Sequence, residues 1–346
     1  MNRQHETPHF SEVKINSVLI QYNYKLVISK TNVYNELHEN NSCKIWWRSF
    51  ILSLVKYEIL NKVAEVNSFT KAADELGLTQ SAISHAISSL EKEFGFALIH
   101  RARTGVKLTE EGKSMLISMR RVLLADELLR QEAANILGVT KGTVRIGLIS
   151  SISTKWMPNI IHLMEKNYPG IKIELREGDY YEIEQWLING EVDCGFLNGT
   201  NSKKFEFMPL KRDTLLCVVS KKSKLYKKEQ IDLLDIEEEQ LIMTSYKGTN
   251  DVAILFEKYN VKPNIRFQLF DEKGIMSMVM HGLGISILPQ LSITQVPENV
   301  RLIPFKQESF RTIGLSTKQS LSPAGQKFVE VLKKWLKENE EHLVFE

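Results

Sequence analysis

The chain has 346 residues, 43% of them hydrophobic and 25% charged, with a formal net charge of +3 at pH 7. This length exceeds one average domain, and the composition excludes a disordered or collagen-like chain. A balance so near neutrality neither demands nor excludes nucleic acid, so any basic footprint must be local.

Residues 1–49 stand apart as an Asn-rich, poorly periodic extension, expected to be a disordered tail or a wrongly assigned start. From Phe50 the pattern is helical, with Leu52, Val55, Ile59, Val63 and Val66 spaced by three and four. Ser68 offers an N-cap to a short helix, FTKAADEL, and Gly77 suits the turn after it. Thr79 caps the next helix, QSAISHAISSLEKEF. ALIHRARTGVKL then reads as a small hairpin turning at Thr104–Gly105. A long helix runs from Thr109 to about Leu137, with Met115, Met119, Val122, Leu129, Ala133 and Ile136 near a heptad repeat that predicts a partner helix. LGVTKG (137–142) is a linker. Beyond it strands alternate with helices, which predicts parallel α/β sheets, and roughly 200 residues of this suit two lobes.

The helix after Thr79 carries the sharpest signal. At about 100° per residue, Ile83, Ile87, Leu90 and Phe94 share one side, while Gln80, Ser81, Ser84, His85 and Ser88 share the other. A solvated face would ordinarily carry Lys and Glu. Short hydroxyls and an amide instead let a helix approach a major groove closely, where Gln can pair with adenine and Ser or His can meet a base edge or phosphate. With the preceding short helix and its turn, this is a helix-turn-helix. The hairpin supplies Arg101, Arg103 and Lys107 without an intervening acid, a basic edge for phosphates or the minor groove.

SFTKAADELGLTQSAISHAISSLEKEFGFALIHRARTGVKLTEEG resembles the winged helix-turn-helix of LysR-type transcriptional regulators. The matching features are SFTKAA, Thr79-Gln80-Ser81, Ser84-His85, Leu90-Glu91, Gly95, Arg101, and Leu108-Thr109 with Gly112. Met157-Pro158, YPGIKIEL, GEVDCGFL and GLGISILP continue the likeness, which covers about residue 50 to the C-terminus. The departures are the N-terminal extension and Ile99-His100, where the family usually has Phe and a polar residue. The resemblance implies an α+β multidomain protein: an extension at 1–49, a winged helix-turn-helix at 50–108, a linker helix and hinge at 109–142, and an effector module at 143–346. That module resembles the periplasmic binding proteins. Its first lobe would span 143–217 and 313–346 and its second 218–312, with LLCVVS and TIGLST as crossovers.

On this reading the DNA-binding residues are Phe69, Thr70, Lys71, Thr79, Gln80, Ser81, Ser84, His85, Ser88, Arg101, Arg103 and Lys107. Ligands in open α/β lobes sit beyond the carboxyl ends of strands, which makes Ser150, Ser151, Ser153, Thr154, Asn198, Thr244 and Ser245 the candidates for an effector, an anion among the possibilities. The alternative at Ser150–Thr154 is that the hydroxyls merely cap a helix. The expected partners are double-stranded promoter DNA, a small-molecule effector, a second copy through the linker helix, further assembly to a tetramer, and RNA polymerase.

Other classes lack their residues. GLGIS precedes a strand rather than a phosphate-binding helix, and no Ser/His/Asp arrangement, metal-spaced His/Cys set or P-loop occurs, so neither an enzyme nor a cofactor is expected. Cys43, Cys194 and Cys217 form no CxxC pair, and the last two lie in apolar runs suited to inert thiols. No apolar run approaches a membrane span and no signal-peptide core is present, so the expected location is the cytoplasm, away from membrane and unlike an exported solute-binding protein.

Overall fold

Four helices and a hairpin precede the α/β module in expectation; the computed structural model describes residues 41–102, 105–138, 140–199, 204–245, 250–317 and 321–344, with backbone alone at 41–52 and 101–102. The chain divides into two units, Met1–Leu123 and Leu124–Glu346. The extension read at 1–49 lies outside the described residues up to 40. From Asn41 it belongs to a helix, so the first helix starts ahead of Phe50. Among the described residues no helix is long and apolar enough to cross a membrane.

The first unit contains α1 (Asn41–Val66), α2 (Phe69–Leu76), α3 (Gln80–Phe94), the hairpin β1 (Ile99–Ala102) and β2 (Gly105–Leu108), and the start of α4 (Glu110–Ile136). Leu60 and Val63 of α1, Ala72 and Ala73 of α2, and Ile83, Ile87 and Leu90 of α3 form one core with Leu98, Ile99 and Leu116. The α1 stripe is therefore centred on Leu54, Ile59, Leu60 and Val63, slightly rotated from the spacing expected. Ser68 accepts a hydrogen bond from Lys71 N at 3.3 Å, and Gly77 ends α2 at φ 63°, a conformation that glycine adopts without a Cβ penalty.

The second unit is built from two lobes. In the first, β3 (Gly142–Leu148), β4 (Ile171–Glu177) and β5 (Cys194–Asn198) are parallel, with α5 (Ser150–Lys155), α6 (Met157–Asn167) and α7 (Tyr180–Asn189) between them. In the second, β7 (Gln240–Thr244) and β8 (Asn264–Leu269) are parallel, accompanied by α8 (Asp251–Tyr259) and α9 (Glu272–Met280). β6 (Glu206–Ser220) belongs to both lobes. Its first half pairs with β11 (Phe310–Thr317), and its second half with β9 (Ser286–Pro289) and β10 (Val300–Ile303). α10 (Pro323–Asn339) returns to the first lobe and packs on α6.

The large sheet is mixed rather than wholly parallel, because β6 leaves the first lobe and β11 comes back, so β11 runs antiparallel to both β5 and β6. Pairing passes to the second lobe between Thr214 and Leu215, a little ahead of residue 217; Leu215 already faces Pro289 across the sheet. The first half of β6 escapes sequence reading because Pro209 interrupts it. Pro209 is accommodated opposite Gly314, where the register shifts in a bulge. Ile146, Phe196, Trp156 and Phe328 are fully buried in the first lobe, and Cys194 and Cys217 are fully buried in the two lobes. Burial raises both thiols above the ordinary cysteine range, which keeps them un-ionised. GLGIS leads into β9, as its lack of a following helix requires.

Candidate nucleic-acid interface and interlobe cleft

On α3 the buried side chains of Ile83, Ile87 and Leu90 fix the opposite face outward. Thr79, Gln80, Ser81, His85 and Ser88 are exposed there, with Ser84 half-buried. Thr79 Oγ1 accepts from Ala82 N at 3.2 Å and lies 3.0 Å from Ser81 Oγ, so the cap orients the first serine as well as starting the helix. Thr70 and Lys71 are exposed on α2. Phe69 differs from them: its ring is 9% exposed and packs into the core, so it positions α2 and does not face a groove. In the hairpin, exposed Lys107 stands opposite exposed His100. The Arg101 side chain and the whole of Arg103 lie outside the described residues.

Two positioning residues carry roles that sequence reading does not assign. Glu91 Oε1 accepts from Leu98 N at 2.9 Å and Ile99 N at 3.3 Å, tying the end of α3 to the entry of the hairpin. Thr109 Oγ1 donates to Ala97 O at 2.9 Å and accepts from Gly112 N at 2.8 Å, fastening α4 to the same segment. A Cβ on Gly112 would stand 2.0 Å from Leu98 O, which explains that glycine by close approach. Ile99 is buried and His100 exposed, so the Ile-His pair preserves the inward apolar, outward polar alternation of a strand.

In the second unit a polar cluster gathers where β6 and β11 cross between lobes. Arg311, with 7% of its side chain exposed, donates through Nε to Asp213 Oδ2 at 2.9 Å, and its Nη2 lies 2.8 Å from the same oxygen. Nη2 also donates to Ser151 Oγ at 3.0 Å, and Nη1 to Tyr180 Oη at 3.2 Å. Asp251, from the first turn of α8 in the second lobe, lies 3.6 Å from Arg311 Nη1. It accepts from Asn198 Nδ2 at 2.7 Å and Tyr180 Oη at 3.3 Å. Asp213 also accepts from Leu291 N at 3.0 Å.

Burial opposes the Arg311 charge, but Tyr180, Asp213 and Asp251 outweigh it and raise the guanidinium above its ordinary range. Burial raises the Asp213 carboxyl above the usual carboxylate range, against the pull of Arg311. The Tyr180 hydroxyl is held well above a phenol's ordinary value by burial, so it stays an O–H donor.

Of the expected cleft residues, Ser151 and Asn198 join this cluster. Thr244 stands behind it: its hydroxyl and carbonyl oxygens accept from Asn250 Nδ2 at 3.2 and 2.9 Å, and Asn250 caps α8. Thr154 instead donates back to Ser150 O at 2.9 Å within α5. Ser150 is exposed and Ser153 half-buried on α5, and the Ser245 backbone N–H donates to Leu269 O at 2.8 Å. Ile149 occupies the N-cap of α5 without a side-chain bond, so the serines do not cap that helix. Tyr180, Asp213, Asp251 and Arg311 are the residues that sequence reading misses.

A second arginine lies where the C-terminal part of α4 meets the first lobe. Arg145 Nη1 donates to Glu127 Oε2 at 3.0 Å, and its Nε lies 3.5 Å from Glu174. Its backbone N–H donates to Asp193 at 2.7 Å.

A helix-turn-helix with a wing, followed by a two-lobed α/β module whose crossover strands hold a polar cluster, defines a ligand-responsive DNA-binding regulator. Residues 54–113 match the bacterial regulatory helix-turn-helix of the lysR family, and residues 138–337 match the LysR substrate binding domain. The chain belongs to the LysR family of transcriptional regulators, which are not enzymes. It is 31% identical over 287 residues to the HTH-type transcriptional regulator YvbU of Bacillus subtilis (strain 168), covering 82% of this chain and 98% of that protein. It is 28% identical over 261 residues to the HTH-type transcriptional activator CmpR of a Synechocystis strain, covering 75% and 86%. Solved structures share the fold. A full-length OxyR variant from Pseudomonas aeruginosa gives a TM-score of 0.69 at 20% identity, covering 85% of this chain and 98% of its own. Full-length CbnR in complex with its target DNA gives 0.58 at 20%, covering 81% and 99%.

Proposed function

We propose that this regulator binds double-stranded promoter DNA in the cytoplasm as a homodimer, further assembled into a tetramer, and that a small-molecule effector between its lobes sets its action. In this reading 50–108 is the DNA-binding domain, 109–142 the linker and hinge, and 143–346 the effector module. Gln80, Ser81, Ser84, His85 and Ser88 meet bases. Thr70, Lys71, Thr79, Arg101, Arg103 and Lys107 meet phosphates or the minor groove, and RNA polymerase is a further partner. The carrying observation is α3, whose apolar side is buried while short polar side chains stand exposed opposite it. Dimerisation through α4 is supported by Val122, Leu129 and Ile136, which recur every seven residues and are 42, 71 and 77% exposed. The effector reading is supported by the polar side chains of both lobes that converge at Arg311.

The test is binding of the purified protein to duplex DNA from around its own gene at two salt concentrations. Ser84→Ala and His85→Ala are expected to weaken specific binding about tenfold and to leave non-specific binding nearly unchanged. Equal losses on both kinds of DNA, or no duplex binding at low salt, overturn the assignment.

A further inference from the structure

We infer that Asp251 is a resident stand-in for the effector's carboxylate, occupying an anion receptor that the first lobe presents. The inference rests on the reading of the interlobe cleft as the effector site. Its ground is the division of labour between two aspartates on one arginine. Asp213 is the fixed partner: it sits on β6 directly opposite Arg311 in the strand register, accepts a hydrogen bond from Nε with Nη2 2.8 Å from the same oxygen, and anchors Leu291 N. Asp251 comes from the other lobe. Its carboxylate meets Asn198 Nδ2 and the Tyr180 hydroxyl, with Arg311 Nη1 at 3.6 Å. These three groups belong to the first lobe or its crossover strand, and all three are donors.

An amide N–H, a neutral hydroxyl O–H and a nearby guanidinium charge converging on one carboxylate group make a receptor for a carboxylate. Nothing in that set requires the carboxylate to be part of the chain.

Charge decides how an effector enters. Arg311, Asp213 and Asp251 together already carry one net negative charge in a buried place. A second anion added beside them would face like charge at low dielectric, so an anionic effector has to displace Asp251, which leaves the total unchanged. Displacement also breaks the hydrogen bonds that join Asp251 to Asn198 and Tyr180 across the lobes. Binding and the release of this latch are thus one event, and the effector works by its differential affinity for the two states. The recognised class is a small molecule bearing a carboxylate.

The test uses the full-length protein with sodium acetate as the probe and sodium chloride at equal ionic strength as the control. Asp251→Ala removes the resident carboxylate and leaves a space that acetate fits. It is expected to bind acetate about tenfold more tightly than wild type, with a saturable rise in Tm of about 3 °C. The double variant Asp251→Ala with Asn198→Ala is expected to lose that gain. Asp251→Asn, which keeps the shape and removes the charge, is expected to shift in the same direction and covers the case in which the alanine variant does not fold. Equal acetate affinity in wild type and folded Asp251 variants overturns the inference. The two readings fail separately. A ligand that binds wild type between the lobes with an affinity indifferent to Asp251→Ala overturns displacement and leaves the cleft reading in place. Acetate rescue of Asp251→Ala supports the receptor even where no metabolite moves the wild type.

Discussion

The effector module holds two arginine-centred clusters that differ in how much water reaches them. Arg311 has 7% of its side chain exposed and faces Asp213 at 1% and Asp251 at 11%. Arg145 is 34% exposed and faces Glu127, Glu174 and Asp193 at 26, 42 and 16%. Solvent lets Arg145 serve more acids than it can neutralise, because screening makes each pair weak. At Arg311 each charge depends on its partners, since burial without pairing is costly. A solvated arginine tethers, whereas a buried one dictates which groups must stay together.

The largest test of this contrast is Arg311→Met. It strands Asp213 and Asp251 without their counter-ion, and a loss of about 3–5 kcal/mol is expected in urea unfolding of the effector module. A loss under about 1 kcal/mol would place Arg311 with the solvated pairs and end the comparison.

Next comes Asp193, the least exposed acid of the Arg145 cluster. Burial pushes its carboxyl up from 3.8 to about 6, against the Arg145 N–H and charge, while Glu127 and Glu174 push in the same direction as burial. Between those values the folded protein holds a proton that the unfolded chain releases. The resulting stability is full below the lower value and is lost as pH rises through about 6. Wild type should therefore lose up to about 3 kcal/mol relative to Asp193→Asn between pH of about 4 and 7, read from paired urea titrations. A flat difference across that range would mean that Asp193 is solvated after all. The smallest effect is expected from Glu127→Gln, about 0.5 kcal/mol and weaker at high salt. A loss matching that of Arg311→Met would break the contrast from the other side.

What the sequence discloses follows the same divide. The recognition helix is legible because Ile83, Ile87 and Leu90 and the polar residues between them lie within one helix, where a 3.6-residue period sorts faces without knowledge of anything else. The cleft is assembled from Ser151, Tyr180, Asp213, Asp251 and Arg311, drawn from separate strands and helices of both lobes. Ser151 and Asn198 were accessible to the rule that ligands gather at strand ends. Asp213 and Arg311 were not, because each reads as an ordinary charge inside a strand until the register sets them opposite one another. Phe69 shows the converse error: a residue inside a binding motif whose ring serves the core. The first half of β6 hid behind Pro209, whose bulge pairs with Gly314 more than one hundred positions downstream, far beyond the reach of any local rule of strand reading.

β6 and β11 carry the chain between lobes, and Asp213 and Arg311 sit on those two strands at the point of passage. The fulcrum about which one lobe would swing is thus made of the same pair that holds the cluster together. A hinge built this way cannot be loosened without disturbing the polar cluster, nor the cluster recut without altering the swing. If the effector binds at this cluster, substitutions that change which molecule this protein answers to should therefore fall mainly on the groups around the pair, such as Tyr180, Asn198 and Asp251, and spare the axle.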